Sequence, residues 1–185
     1  MSKIVVQMSL SLDGFMEGPD HDISWHMVDE EVHTDVNAYL RTTGAFLQGR
    51  RTHELMLDFW PTADQDPASP APVREFAGIW RDKPKYVFSK TFDNTDWNTT
   101  ILRDVVPDEI EKLKAQTDGD IALGGADLAA TFMRHDLIDD YRLYIDPIVI
   151  GAGTRLFPPD FRQTLSLVET RPFGNGVVLL RYGRR

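Results

Sequence analysis

The chain has 185 residues, 42% hydrophobic and 26% charged, which suits a soluble globular protein and excludes both a disordered and a membrane-embedded chain. Acidic residues outnumber basic ones by 29 to 20, a formal net charge of −9, so a nucleic-acid partner is not expected. With no cysteine, and with His21, His26, His53 and His135 at no metal-ligand spacing, disulfides, thiolate chemistry and a bound metal are not expected either. Gln7 interrupts the apolar run Ile4 to Val6 and no later run reaches membrane-spanning length, so the expectation is a cytoplasmic protein with no membrane partner.

Strand-like and helix-like patches alternate along residues 1–185, predicting a single α/β domain. The first strand, Ile4 to Leu10, ends in the turn residues Ser11-Leu12-Asp13-Gly14. Val28, Val32, Val36, Tyr39 and Leu40 fall at helical spacing behind the acidic first turn Asp29-Glu30-Glu31. Ala45 to Leu47 reads as a short strand entering Gly49-Arg50-Arg51-Thr52, with helix resuming at Leu55, Met56 and Phe59. Four prolines between Pro61 and Pro72 predict an exposed loop that can act as a lid. Lys85 to Ser89 and Ile101 to Val105 read as strands, and Pro107 opens a helix that Asp118-Gly119 closes. Ile121 to Leu123 is a buried strand running into Gly124-Gly125-Ala126-Asp127, followed by the helical stripe Leu128, Ala129, Phe132 and Met133. Tyr141, Leu143 and Ile145 alternate in a strand that Asp146-Pro147 interrupts before a second one, Ile148 to Ile150. Leu165 to Thr170 and Val177 to Tyr182 form a hairpin about Phe173-Gly174-Asn175-Gly176. The predicted sheet is therefore mixed, mostly parallel and flanked by helices, with an antiparallel C-terminal hairpin.

Two turns, Gly49 to Thr52 and Gly124 to Asp127, each stand at the carboxyl end of a strand and the start of a helix. Free N–H groups and the helix dipole make such turns anion sites, and two of them suit the two phosphates of a dinucleotide. Arg50 and Arg51 add cations at the first turn, and Ser89-Lys90-Thr91 adds more at a third strand end, a surplus that suits the extra phosphate of NADPH. Neither turn is the Gly-x-Gly-x-x-Gly fingerprint or a phosphate-binding Walker loop, and taken singly each is better read as a tight turn with solvated cations.

Ser9-Leu10-Ser11-Leu12-Asp13-Gly14-Phe15, Gly49-Arg50-Arg51-Thr52, Val87-Phe88-Ser89-Lys90-Thr91, Gly124-Gly125-Ala126-Asp127 and Pro147-Ile148-Val149-Ile150-Gly151-Ala152-Gly153 before Leu156-Phe157-Pro158 occur in this order. The set resembles the dihydrofolate reductase-like superfamily, and more closely stand-alone relatives of the reductase domain of the bifunctional riboflavin-biosynthesis deaminase-reductase. The resemblance implies NADPH lying across the strand ends, with its pyrophosphate at Gly49, Arg50, Arg51, Thr52, Gly124, Gly125, Ala126 and Asp127 and its adenosine phosphate near Ser89 and Lys90. It also implies a homodimer joined through the C-terminal sheet, where Val177 to Leu180 reads as an exposed edge. One departure stands out: that enzyme's Asp-x-Pro-x-Leu-x-x-Arg stretch is here Asp58-Phe59-Trp60-Pro61-Thr62-Ala63. A chain without cysteine also lacks the deaminase's zinc site.

Hydride transfer needs a planar acceptor on the nicotinamide and usually a proton for the acceptor's heteroatom. Counting along the first helix by the dihydrofolate reductase spacing reaches Glu30 from Trp25 but His33 from Gly49. Asp29 and His33, four residues apart beside the valine stripe, are the candidate proton-transfer residues, with a solvated helix edge as the competing reading. Asp13 in the first turn, with an ordinary turn Asp as the competing reading, and the aromatic pair Phe59-Trp60 are candidate substrate contacts; Trp25 and Trp80 are further aromatic surfaces that core packing explains better. The function expected is NADPH-dependent reduction of a small planar heterocycle, of the kind reduced in riboflavin biosynthesis. A nucleotide-binding module without turnover is the alternative.

Overall fold

In the computed structural model, residues 2–185 are described. Strands β1 (Ile4–Ser11), β3 (Ala45–Gly49), β4 (Lys85–Phe88), β5 (Thr99–Leu102), β6 (Ile121–Gly124), β7 (Asp140–Asp146), β9 (Leu165–Pro172) and β10 (Val178–Arg184) form one sheet in the order β5-β4-β3-β6-β1-β7-β10-β9. The six strands from β5 to β7 are mutually parallel, and β10 and β9 add antiparallel to β7. All six parallel strands thus end on one edge, at Ser11, Gly49, Phe88, Leu102, Gly124 and Asp146. In open α/β sheets that edge is where ligands bind.

Helices cover both faces because the buried strands are apolar on both. Ile4, Val6, Leu47, Ile121, Leu123, Tyr141 and Leu143 point to one side, against Ile110 of α4 (Pro107–Gln116) and Leu128, Ala129, Phe132 and Met133 of α5 (Ala126–Arg134). The alternate residues Phe46 and Ala122 face Leu40 of α1 (Glu30–Thr42) and Phe76 and Trp80 of α3 (Ala71–Asp82). Tyr144 and Leu179 continue that second face against Val32 of α1 and Phe173. α2 (Arg50–Phe59) follows β3 directly, and the short strands β2 (Phe15–Glu17) and β8 (Thr154–Arg155) pair as a separate ribbon. Among the described residues no helix is long and apolar enough to cross a membrane.

Several expectations from the sequence need correction. Val177 to Leu180 is not an exposed edge: β10 lies between β7 and β9, with Val177 and Leu179 buried, and the open edge is β9. Ile148 to Ile150 is not a strand, because its backbone N–H groups bond to Asp146 and Asp13 and not to a neighbouring ladder. The strand expected over Ile101 to Val105 is centred earlier, at Thr99–Leu102, in register with Lys85–Phe88. α1 begins at Glu30, so Val28 lies outside it. The proline-rich segment is an exposed loop only in its middle: Pro61 is buried in a 3-10 turn and Pro72 is buried in the first turn of α3, and Arg81 bonds to Pro61 O and twice to Asp64, which anchors the loop to α3. Trp80 is core, wholly buried.

Candidate functional site at the strand ends

The two glycine turns lie side by side. β3 and β6 are neighbours, with Gln48 opposite Gly124, so α2 and α5 start next to each other at Gly49 and Gly125. No side chain caps either start, leaving the first N–H groups of both helices for another acceptor. Thr52 of α2 packs on the second turn: a Cβ on Gly125 would fall 2.7 Å from Thr52 Oγ1, and Gly125 has φ 103°, a conformation L side chains rarely adopt. A Cβ on Gly124 would lie 3.8 Å from Thr52 Cγ2. Two adjacent uncapped helix starts with a glycine floor fit the pyrophosphate of a dinucleotide, and Ala126 is buried there while Asp127 is exposed.

Ser89 and Lys90 stand at the end of β4, beside β3. Ser89 Oγ accepts from the N–H groups of Thr91 and Phe92, at 3.2 and 2.9 Å. Arg103 donates to the carbonyls of Ser89 and Phe92 and pairs with Asp93, so this turn is held from both sides. Lys90 and Arg50 are exposed and reach Asp104 and Glu54 at 3.1 and 3.7 Å. Exposed pairs of this kind are weak and can exchange partners for a phosphate. Burial pushes the Glu17 carboxyl up, but hydrogen bonds from His21 and Thr154 and the charges of His21 and Arg51 outweigh it and hold the group below its ordinary value. His53, wholly buried, was not singled out from the sequence. Its Nδ1 meets Gln48 Oε1 at 3.0 Å and its ring packs 5.5 Å from that of Phe92, so it ties the Gly49 turn to the Ser89 turn. Burial, aided by Lys85, lowers its pKa to about 4.

Of the candidate substrate and proton-transfer residues the structure joins some and separates others. His33 lies 6.0 Å from Trp60 and 6.1 Å from Phe76, and Trp60 stacks edgewise on Phe59 and Phe76 at 4.8 and 4.4 Å. Burial lowers the His33 pKa, which favours the neutral imidazole. Phe59 is 51% exposed, an aromatic face open to a ligand. Asp29 is the N-cap of α1, its Oδ1 accepting from Val32 N at 3.0 Å. The Asp13 carboxyl accepts from Ser11 Oγ at 2.7 Å and from the backbone of Ile150 and Gly151, bonds that lower its pKa and clamp the loop after β7 to the turn after β1. Sequence reasoning also passed over Asp146, the last residue of β7, which is 1% exposed and opposite Ser11. An Asp-Pro pair reads as a strand terminator, so only burial distinguishes this carboxyl.

Comparison with known proteins agrees with this architecture. Protein YyaP of Bacillus subtilis is 35% identical over 184 residues, covering 97% of this chain and 94% of the relative. A riboflavin biosynthesis protein from Shewanella sp. PV-4 superposes with TM-score 0.78 at 21% identity, covering 99% of both chains. Dihydrofolate reductase from Enterococcus faecalis, solved with NADP(H), superposes with TM-score 0.66 at 14% identity, covering 99% of this chain and 96% of that one. The sequence model of the RibD C-terminal domain matches residues 2–179, and the chain therefore belongs to the RibD C-terminal domain family.

Proposed function

We propose that this protein is an NADPH-dependent reductase that delivers hydride to a small planar heterocycle. The observation that carries the reading is the adjacency of the two uncapped helix starts at Gly49 and Gly125, with Thr52 packed between them. The N–H groups of Arg50, Arg51 and Thr52 and of Ala126 and Asp127 would hold the pyrophosphate. Arg50, Arg51 and Lys90, with Ser89, would recognise the phosphate on the adenosine ribose. When bound, the cofactor supplies a hydride, chemistry that no side chain of this protein provides.

The chain's own part is to orient the acceptor and manage its proton. His33 of α1 and Trp60, just past α2, stand together, so His33 is the α1 residue proposed beside the acceptor, and Asp29 fixes the start of that helix. Phe59 and Trp60 offer flat apolar faces where a phosphate-binding segment would otherwise be, which favours a planar, weakly charged acceptor over a phosphoribosyl pyrimidine. A homodimer in the cytoplasm completes the proposal. Titration with NADPH and NADH is the test. NADPH is expected to bind roughly ten- to a hundredfold more tightly, as for a charge-assisted contact of about 1.5–3 kcal/mol. Equal affinities would remove the proposed role of Arg50, Arg51 and Lys90. NADPH oxidation should require an added pteridine, flavin or aminopyrimidine.

A further inference from the structure

Asp146 is the one buried carboxyl at the ligand edge with an oxygen left over. Its Oδ1 accepts from Met27 N at 2.6 Å, and its Oδ2 is fully enclosed with no hydrogen-bond partner among the described residues. A buried acceptor left unpaired costs about 1–3 kcal/mol, more for a charged group, so its persistence calls for a donor supplied from elsewhere. The side chain lies on the α1 face of β7, in line with Arg142 and Tyr144, at the very end of the strand and beneath the segment that enters α1. Burial pushes this carboxyl up, and the Met27 bond and the charge of His26 pull it only partly back.

Irregular chain, not a helix or strand, covers Asp146. Residues 23–29 contain no helix or strand, and Met27 is held by the Asp146 bond and by Asn175 Nδ2 on its carbonyl. This segment turns the apolar Ile23, Met27 and Val28 to solvent beside the polar Ser24 and His26, and Leu12 and Val149 are exposed on the turns after β1 and β7. Exposed apolar side chains around a buried acid match a ligand with flat apolar faces and a donor edge.

We propose that Asp146 is a specificity-determining residue of the reductase site, its carboxyl accepting hydrogen bonds from the N–H edge of an amino-substituted heterocycle that enters beneath residues 23–28. This rests on the reading of the strand ends as the reductase site. Asp146→Asn is the informative variant, since an amide keeps an oxygen for Met27 N while turning the free acceptor into a donor.

The test is calorimetric binding of an aminopyrimidine and of the matching methoxypyrimidine, which has no N–H, to the wild type and to Asp146→Asn, each with and without NADPH. The aminopyrimidine is expected to bind the variant about tenfold or more weakly than the wild type, with methoxypyrimidine and NADPH binding and the melting temperature nearly unchanged. Asp146→Ser gives the same readout if the amide variant folds poorly. Equal aminopyrimidine affinity in wild type and variants, or no binding to the wild type, overturns the proposal and leaves an internal water as the partner of Oδ2. Failure of NADPH to bind, with the aminopyrimidine still sensitive to residue 146, would overturn the reductase reading alone.

Discussion

Two single residues set the geometry of the strand-end turns, and each gives a measurable expectation. At Gly125 a side chain meets both the positive φ and Thr52, so Gly125→Val is expected to abolish NADPH binding and to lower stability by about 1–3 kcal/mol. Circular dichroism melts and NADPH titration check this, and a variant that binds like wild type would make the turn purely structural. His53 gives a pH dependence. Its pKa is about 4 in the folded protein against an ordinary 6.5, so between these values the unfolded chain binds the extra proton. Stability therefore falls as pH drops from 6.5 towards 4, by on the order of 3 kcal/mol for this group. Its contribution vanishes above 6.5, where both states are neutral. His53→Gln keeps a donor for Gln48 without titrating, so its denaturant midpoint should fall less than wild type over that range; parallel curves would sink the assignment.

Among the elements, the proposed acceptor site turns on the segment from Asp58 to Ala63, where the resemblance leads one to expect a substrate-binding stretch. Here Asp58 and Phe59 finish α2, and Trp60–Thr62 is a short 3-10 turn whose tryptophan meets His33 and Phe76. A site that lost its ionic contacts rejects the former substrate strongly, whereas aromatic faces discriminate among planar ligands only modestly. The expected kcat/KM for the riboflavin intermediate is below ~10⁴ M⁻¹s⁻¹, the lower end of ordinary enzymes, with comparable weak activity on unphosphorylated pteridines. Trp60→Ala should depress all of these together, and a value above that bound for the intermediate would restore it as the substrate. The parallel strands and the two glycine turns were legible in the sequence because Ile4 to Val6, Ala45 to Leu47 and Ile121 to Leu123 are short apolar runs that lead into turn residues. α3 was not, because Pro70 and Pro72 extend the proline loop's composition into its first turn, where a missing N–H does no harm. The β2 and β8 ribbon escaped because two- and three-residue strands carry no period. Among the candidate residues, His33 and Trp60 are singled out by helical spacing and by position beside the proline loop, and their rings lie 6.0 Å apart. The capping bond of Asp29 and the clamp of Asp13 depend on backbone placement that residue types do not encode.

For the molecule as a whole, the open question is what covers the last strand. β9 is an eight-residue edge with Leu167 and Val168 each more than half exposed, and a free edge of that kind is a site for association unless blunted. One blunting device is present: the β9–β10 register shifts between Arg181 and Tyr182, leaving Val168 as an extra residue on β9. A bulge interrupts a continuous ladder, so a partner would meet this edge through the apolar side chains more than through backbone pairing. Near its C-terminal end β9 is tied to α1, with Arg171 on Asp35 at 2.6 Å and Asp35 in turn on Arg142 and Tyr144. A second copy of the chain is the expected partner, since a patch repeated on both copies closes about a two-fold axis without leaving a new edge. The expected mass by light scattering at micromolar concentration is that of a dimer. Leu167→Asp combined with Val168→Lys should give a monomer that still binds NADPH, because the cofactor turns lie on strands at the other side of the sheet. A monomeric wild type, or a dimer untouched by both substitutions, would move the interface away from β9.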